Sequence, residues 1–173
     1  MNKLLKILTS VMLASALSTS AMAGIVIGGT LATGGYDGEG VETNGTDNKK
    51  TESNGAFAAD HAEIFVEYDT GNNIALGVSY TPMDIDTPSN SNKQTSRTNT
   101  VHVSFKDKTT LYVLLRHDTG LYAKIGAPYV DVLTNESTSS SYPDTDTYGA
   151  TLGLGWQING ASDSFWRVEL QGT

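Results

Sequence analysis

Apolar and polar residues alternate one by one along much of this chain. In the run 146–157, Tyr148, Ala150, Leu152, Leu154 and Trp156 hold one set of alternate positions, and Gly149, Thr151, Gly153, Gly155 and Gln157 hold the other. A period of two predicts a half-buried β-strand, with bounds at Asp144 and Ile158. The pattern recurs in 60–69, where Ala62, Ile64, Val66 and Tyr68 oppose Glu63, Phe65, Glu67 and Asp69. It recurs again from Asn73 to Thr81, where Ile74, Leu76, Val78 and Tyr80 are the apolar set. Thr70-Gly71-Asn72 between these two runs is a tight hairpin turn, because Gly71 and Asn72 both tolerate positive φ. Further strands are expected at 24–36, with Ile25, Ile27 and Leu31 on one face, and at 121–133 and 165–172. The run 98–115 reads as one long strand on which Val101, Val103, Phe105, Leu111, Val113 and Leu115 share a face, and Lys106-Asp107-Lys108 interrupts it as a bulge. A hairpin turn at that interruption is the alternative. Pro128 has no amide hydrogen to give to a sheet, so a bulge or parity switch is expected there.

Three of these seven strands carry aromatics at the ends of their apolar stripes: Tyr68, Tyr80, Tyr148 and Trp156. An apolar band between aromatic girdles is the outer surface of a transmembrane β-barrel strand. The connections alternate in length as well. The segments 37–59, 82–97 and 135–143 are long and polar, whereas 70–72, 117–120 and 159–162 are short. An up-and-down barrel with short periplasmic turns and long extracellular loops sorts its connections this way. The expected fold class is therefore all-β, an antiparallel up-and-down transmembrane β-barrel of eight strands when complete. The 37–59 loop contains nothing that builds a core and is expected to be mobile.

The N-terminus changes the picture further. Lys3 and Lys6 precede an apolar and small-residue run that ends in Ala21-Met22-Ala23. Residues 1–23 read as a secretory signal peptide with Gly24 as the first mature residue; an N-terminal membrane anchor is the alternative. The remaining 24–173 is one domain of about 150 residues; such a chain is secreted, periplasmic or an outer-membrane barrel, and the outer membrane is the location expected. There is no cysteine, so export brings no disulfide framework and no thiolate metal site. The formal net charge of −8 argues against a nucleic-acid partner. Glycine is abundant, at 18 residues against 4 prolines, and no helical period follows the leader. The chain ends at Gln171-Gly172-Thr173, partway through the seventh strand, so the domain is expected to lack the end of that strand and a closing eighth.

The leader, the Gly71 hairpin, Phe105-Lys106-Asp107-Lys108-Thr109-Thr110-Leu111-Tyr112 and Gly120-Leu121-Tyr122-Ala123-Lys124-Ile125-Gly126 together resemble small bacterial outer-membrane β-barrel proteins. This group is loosely called the porin family and includes the OmpA transmembrane domain and the opacity-type proteins. The resemblance covers nearly the whole mature chain and carries no active-site motif. It implies outer-membrane lipid as the surroundings and surface ligands or phage as contacts of the loops. Ala127-Pro128 departs from the Gly-Tyr expected in that strand.

Glu63, Glu67, Lys124, Arg167 and Glu169 fall on the faces opposite the apolar stripes. In a small barrel the interior is just wide enough for side chains to fill, so these five are expected to pair as a charge network across the lumen. They serve as packing and charge satisfaction, or as the constriction of a narrow pore. His102-Val103-Ser104 puts a base and a nucleophile on one strand face, but in this register both face the lumen, and the spacing places no acid beside them. His61 and His117 are assigned to loop and turn edges. The acids Asp37, Glu39, Glu42, Asp47, Asp144 and Asp146 match no calcium-loop spacing and read as solvated. No catalytic residue, cofactor or metal is expected, and the chain is not expected to be an enzyme. The function expected is a structural outer-membrane barrel displaying long loops, with at most narrow-pore permeation. Two alternatives stand beside it: a soluble exported lipocalin-like barrel with an apolar interior, and a larger diffusion porin whose remaining strands lie elsewhere.

Overall fold

The computed structural model describes residues 6–22, 24–43, 50–94, 97–136, 144–161 and 163–173. Its strands are β1 (Lys6–Met22), β2 (Ile25–Thr43), β3 (Lys50–Asp69), β4 (Ile74–Tyr80), β5 (Ile85–Asp86), β6 (Asn90–Gln94), β7 (Arg97–Arg116), β8 (Leu121–Glu136), β9 (Thr145–Tyr148), β10 (Thr151–Asn159) and β11 (Ser164–Gly172). Every pairing is antiparallel. The protein is thus all-β, a curled antiparallel sheet compatible with a β-barrel. Following the pairings from β1 leads through β2, β3, β4, β7, β8, β10 and β11, and β11 pairs back with β1.

Glycine and a few polar residues with positive φ shape the turns at one end: Gly71 at +79° with Asn73 at +60°, Gly120 at +92° and Asp163 at +59°. The backbone closes each turn, as in His117 N–H to Leu121 O at 2.7 Å and Gly160 N–H to Ser164 O at 2.7 Å.

The alternation resolves into an inner and an outer face. Large apolar side chains are exposed on the outside: Ile64, Val66 and Tyr68 on β3; Ile74, Leu76 and Val78 on β4; Leu152, Leu154 and Trp156 on β10; Trp166, Val168 and Leu170 on β11. The buried side chains point inward and include Glu67, Tyr112, Leu114, Tyr122 and Arg167. Two cross-strand pairs make room for large rings inside. Gly77 is registered against Tyr112 and Gly155 against Tyr122, and a Cβ on either glycine would run into the tyrosine ring.

Several sequence expectations are corrected here. Residues 37–59 are largely strand, since β2 runs on to Thr43 and pairs with β3 from Lys50. Pairing satisfies the backbone groups, and beyond an apolar band no apolar face is needed, so the polar sequence concealed the strand. Tyr36 and Phe57 stack at this level, with ring centroids 5.1 Å apart. The hairpin tip, 44–49, lies outside the described residues. The 82–97 loop likewise contains β5 and β6, both paired to β7. The 144–158 strand is broken at Gly149-Ala150 into β9 and β10. That break lies beside Pro128, so the missing amide hydrogen faces a gap in the neighbour rather than causing a bulge in β8. β8 keeps one parity from Tyr122 to Val132, both buried.

The interruption in β7 is a bulge, with the register shifting between Lys106 and Thr109 and Asp107 at φ +49°. The bulge inserts one residue and reverses the parity. Phe105 is buried in the interior while Leu111 is exposed outside, so the two do not share a face as expected. Finally, the run read as a leader forms β1, between β2 and β11. It satisfies the backbone groups of two strand edges that would otherwise be open. Ala23 of the expected cleavage site lies outside the described residues.

Candidate functional site in the sheet interior

The five charged residues singled out by alternation are brought together inside the curled sheet. Glu63 and Glu67 come from β3, Lys124 from β8, and Arg167 and Glu169 from β11. Arg167 binds Glu67 through two parallel contacts, Nη1 to Oε1 at 2.6 Å and Nη2 to Oε2 at 2.9 Å. This fork matches guanidinium to carboxylate geometry. Both side chains are almost wholly enclosed, at 5 % and 2 % exposure. The Tyr112 hydroxyl donates to the same Glu67 Oε1 at 2.8 Å, and Arg167 Nε donates to Gln157 Oε1 at 2.9 Å. The guanidinium also lies over the rings of Phe165 and Tyr122, 4.3 and 5.3 Å from their centroids. Each nitrogen of the guanidinium and both oxygens of Glu67 thereby have a hydrogen-bond partner, which a buried ion pair requires.

One layer away, Lys124 Nζ donates to Glu169 Oε1 at 3.0 Å and sits 4.9 Å from the Tyr112 ring centroid. Glu63 is held by residues the sequence reading did not include. Lys108 Nζ donates to its Oε1 at 2.7 Å, His61 Nε2 lies 3.2 Å from the same oxygen, and His61 Nδ1 is 3.1 Å from the Tyr36 hydroxyl. His61 is therefore buried in the interior and not at a loop edge. Three carboxylates (Glu63, Glu67, Glu169) face three cations (Lys108, Lys124, Arg167) in this part of the interior, among the described residues. The charges balance locally.

Lys108 shares the parity of the inward Tyr112 and Leu114, but it lies within the 106–108 interruption, and the sequence reading left it out. His61 shares the parity of Glu63 and Glu67 on β3, so the alternation carried its signal, but beginning the strand at residue 60 left it at the margin. His117 is at a turn edge, where its Nδ1 accepts from the Thr119 amide at 3.3 Å.

The space between the two charge layers is a cavity of about 30 Å³ bordered by Glu63, Glu67, Lys124, Arg167 and Glu169, room for a water molecule or two. The interior is plugged at this level. Toward the long-loop end the filling turns apolar, with Tyr36, Ile85, Phe105 and Val132 in one buried cluster. Toward the turns it opens into a polar mouth of about 270 Å³ bordered by Asp69, Asn73, Arg116 and Gln157. Arg116 pairs with Asp69 there. Among the described residues no three His, Asp or Glu side chains converge as a metal site; Asp47 lies outside them.

Compared with protein-family models and with curated proteins, the chain matches none.

Proposed function

We propose that this chain is an outer-membrane β-barrel of eight strands that displays its long connections at the cell surface, serving envelope integrity or surface interaction. The observation that carries this reading is the inverted distribution of side chains: the apolar residues are outside and the charged ones inside. Leu152 and Leu154 are 64 % and 65 % exposed, whereas Glu67 and Arg167 are buried. Water rejects such a surface over so many strands, and lipid accepts it. Tyr68, Trp156 and Trp166 toward the short turns and Tyr129 and Tyr148 toward the long connections match aromatic girdles at two interfaces. Among the described residues no helix is long and apolar enough to cross a membrane, which does not bear on crossing by strands.

The plugged interior supports a structural role over free diffusion, with permeation limited to water or nothing. A lipocalin-like interior would need the opposite orientation, with the Ile, Leu and Trp stripe lining a pocket. The ring of pairings supports eight strands over a larger porin. The leader reading of 1–23 is the alternative to β1 as a barrel strand, since cleavage after Ala23 would remove one of the eight strands of the ring. Cell fractionation combined with gel migration before and after boiling tests the proposal. Outer-membrane recovery with a heat-dependent band shift is expected; a soluble periplasmic protein with no shift would refute it.

A further inference from the structure

The polar mouth at the turn end of the interior is a blind pocket. Gln157 forms its floor, accepting from Arg167 Nε at 2.9 Å and giving its own Nε2 to Asn159 Oδ1 at 2.9 Å. Its walls come from two turns that are clasped together. Arg116 N–H donates to Asn73 O at 2.7 Å, and Asn73 Nδ2 donates to Asp118 Oδ1 at 3.1 Å. Gln157 N–H to Gly120 O, at 2.8 Å, ties the second turn to β10. The lining is polar or glycine throughout, and the open space of about 270 Å³ takes a free amino acid.

With His117 neutral, the charges that line this space are those of Asp69, Arg116 and Asp118. Arg116 pairs with Asp69 through Nη2, and among the described residues the guanidinium has no other partner. Its Nε and Nη1 are left to bind a second, planar anion. The pair can be reached from the mouth, since the two side chains are 16 % and 31 % exposed. Asp118 accepts from Asn73 but pairs with no cation among the described residues. The mouth therefore holds two negative charges and one positive. The ion pairs beyond the floor balance among themselves and do not offset the difference.

A ligand that suits this lining carries one net positive charge and also a group for the free face of Arg116. A bare cation is repelled by the guanidinium, and a simple anion by the two carboxylates. A basic amino acid meets all three groups. We propose that the mouth binds a free basic amino acid such as L-lysine, with its carboxylate on Arg116, its α-ammonium on Asp69 and its side-chain ammonium on Asp118. Asp69 Oδ1 accepts from the Gly71 N–H at 2.9 Å and Oδ2 from Arg116. Each carboxylate oxygen has room for a second donor, so the α-ammonium joins this pair without breaking it. The clasped turns hold the groups in place before the ligand arrives, which lowers the cost of ordering. The inference rests on the fold alone and not on the membrane reading.

The test is isothermal titration calorimetry on the full chain in detergent micelles, with far-ultraviolet circular dichroism confirming that each variant keeps its β-structure. The probes are L-lysine, lysinamide, which lacks the carboxylate, and norleucine, which lacks the side-chain ammonium. Lysine is expected to bind saturably, and the other two to bind more weakly by about 10-fold each, the loss of one charge-assisted hydrogen bond. Asp118→Asn keeps the acceptor for Asn73 and removes the charge. It should weaken lysine by about 10-fold and leave norleucine unchanged. Arg116→Gln should weaken lysine and leave lysinamide unchanged. Folded wild-type protein with no saturable heat from lysine would overturn the proposal. So would equal binding of all three probes, which marks a general cation surface. An Asp118→Asn variant that loses norleucine as much as lysine would also overturn it, since Asp118 would then act on the shape of the turn and not on the ligand.

Discussion

Arg167 is the side chain on which the interior depends most. It is enclosed by two rings, a glutamine and both oxygens of Glu67. Arg167→Met would leave Glu67 as a buried carboxylate with only Tyr112 as partner. Breaking one side of such a pair costs about 3–5 kcal/mol. The double variant Glu67→Leu/Arg167→Met removes both charges and should recover most of that loss, as read by urea unfolding in vesicles followed by the gel shift. Equal losses in the single and double variants would mean that packing rather than charge holds this layer. A second residue-scale prediction concerns Asp69, beyond Tyr68 at the turn end. Burial alone would raise its pKa, but the Arg116 guanidinium and the Gly71 N–H, at 2.9 Å, outweigh it and hold the carboxyl below its ordinary 3.8. A depressed carboxylate stabilises the fold above its unfolded pKa, and that contribution is lost as pH falls through the folded value. Unfolding free energy should therefore drop below about pH 4 by no more than about 1 kcal/mol, since the pair is partly solvated. Asp69→Asn should lack that component. Alternation made Glu63, Glu67, Lys124, Arg167 and Glu169 legible because each sits on a strand whose parity is unbroken. Lys108 was not singled out, because it falls inside the interruption where the alternation was read as broken.

At the scale of elements, β7 shows why a two-residue period reads faces only between irregularities. Val103 and Phe105 precede the bulge, Leu111 and Leu115 follow it, and all have the same parity in sequence. Nothing in the apolar pattern marks the extra residue. The positive φ of Asp107 and its acceptance of the Tyr80 hydroxyl at 2.6 Å become visible only with the strands paired. The β2–β3 hairpin shows the converse. Its outer half is strand without an apolar face, and only pairing reveals it. The glycines of the interior wall make a sharper claim. Gly155 lies against Tyr122, and Tyr122 in turn against Arg167. Gly155→Ala should displace the ring and cost about 1–3 kcal/mol. Gly35→Ala, where a Cβ meets nothing within 4 Å, should be close to neutral. Comparing the two by urea unfolding separates a shaped interior from general glycine effects.

For the whole molecule, the antiparallel all-β class was legible because alternation repeats over every main strand. The strand at 6–22 was not, because short apolar and small residues suit a leader and a strand equally well. The central claim is that the apolar outer face meets lipid, and the tryptophans report on it directly. The chain has two, Trp156 and Trp166, both outward and about half exposed, at 49 % and 53 %. Their fluorescence should be measured in vesicles containing brominated phosphatidylcholine, with aqueous iodide as the competing quencher. Strong quenching by the brominated lipid and weak quenching by iodide is the result predicted for a membrane barrel. Tryptophans untouched by the lipid and open to iodide would contradict it.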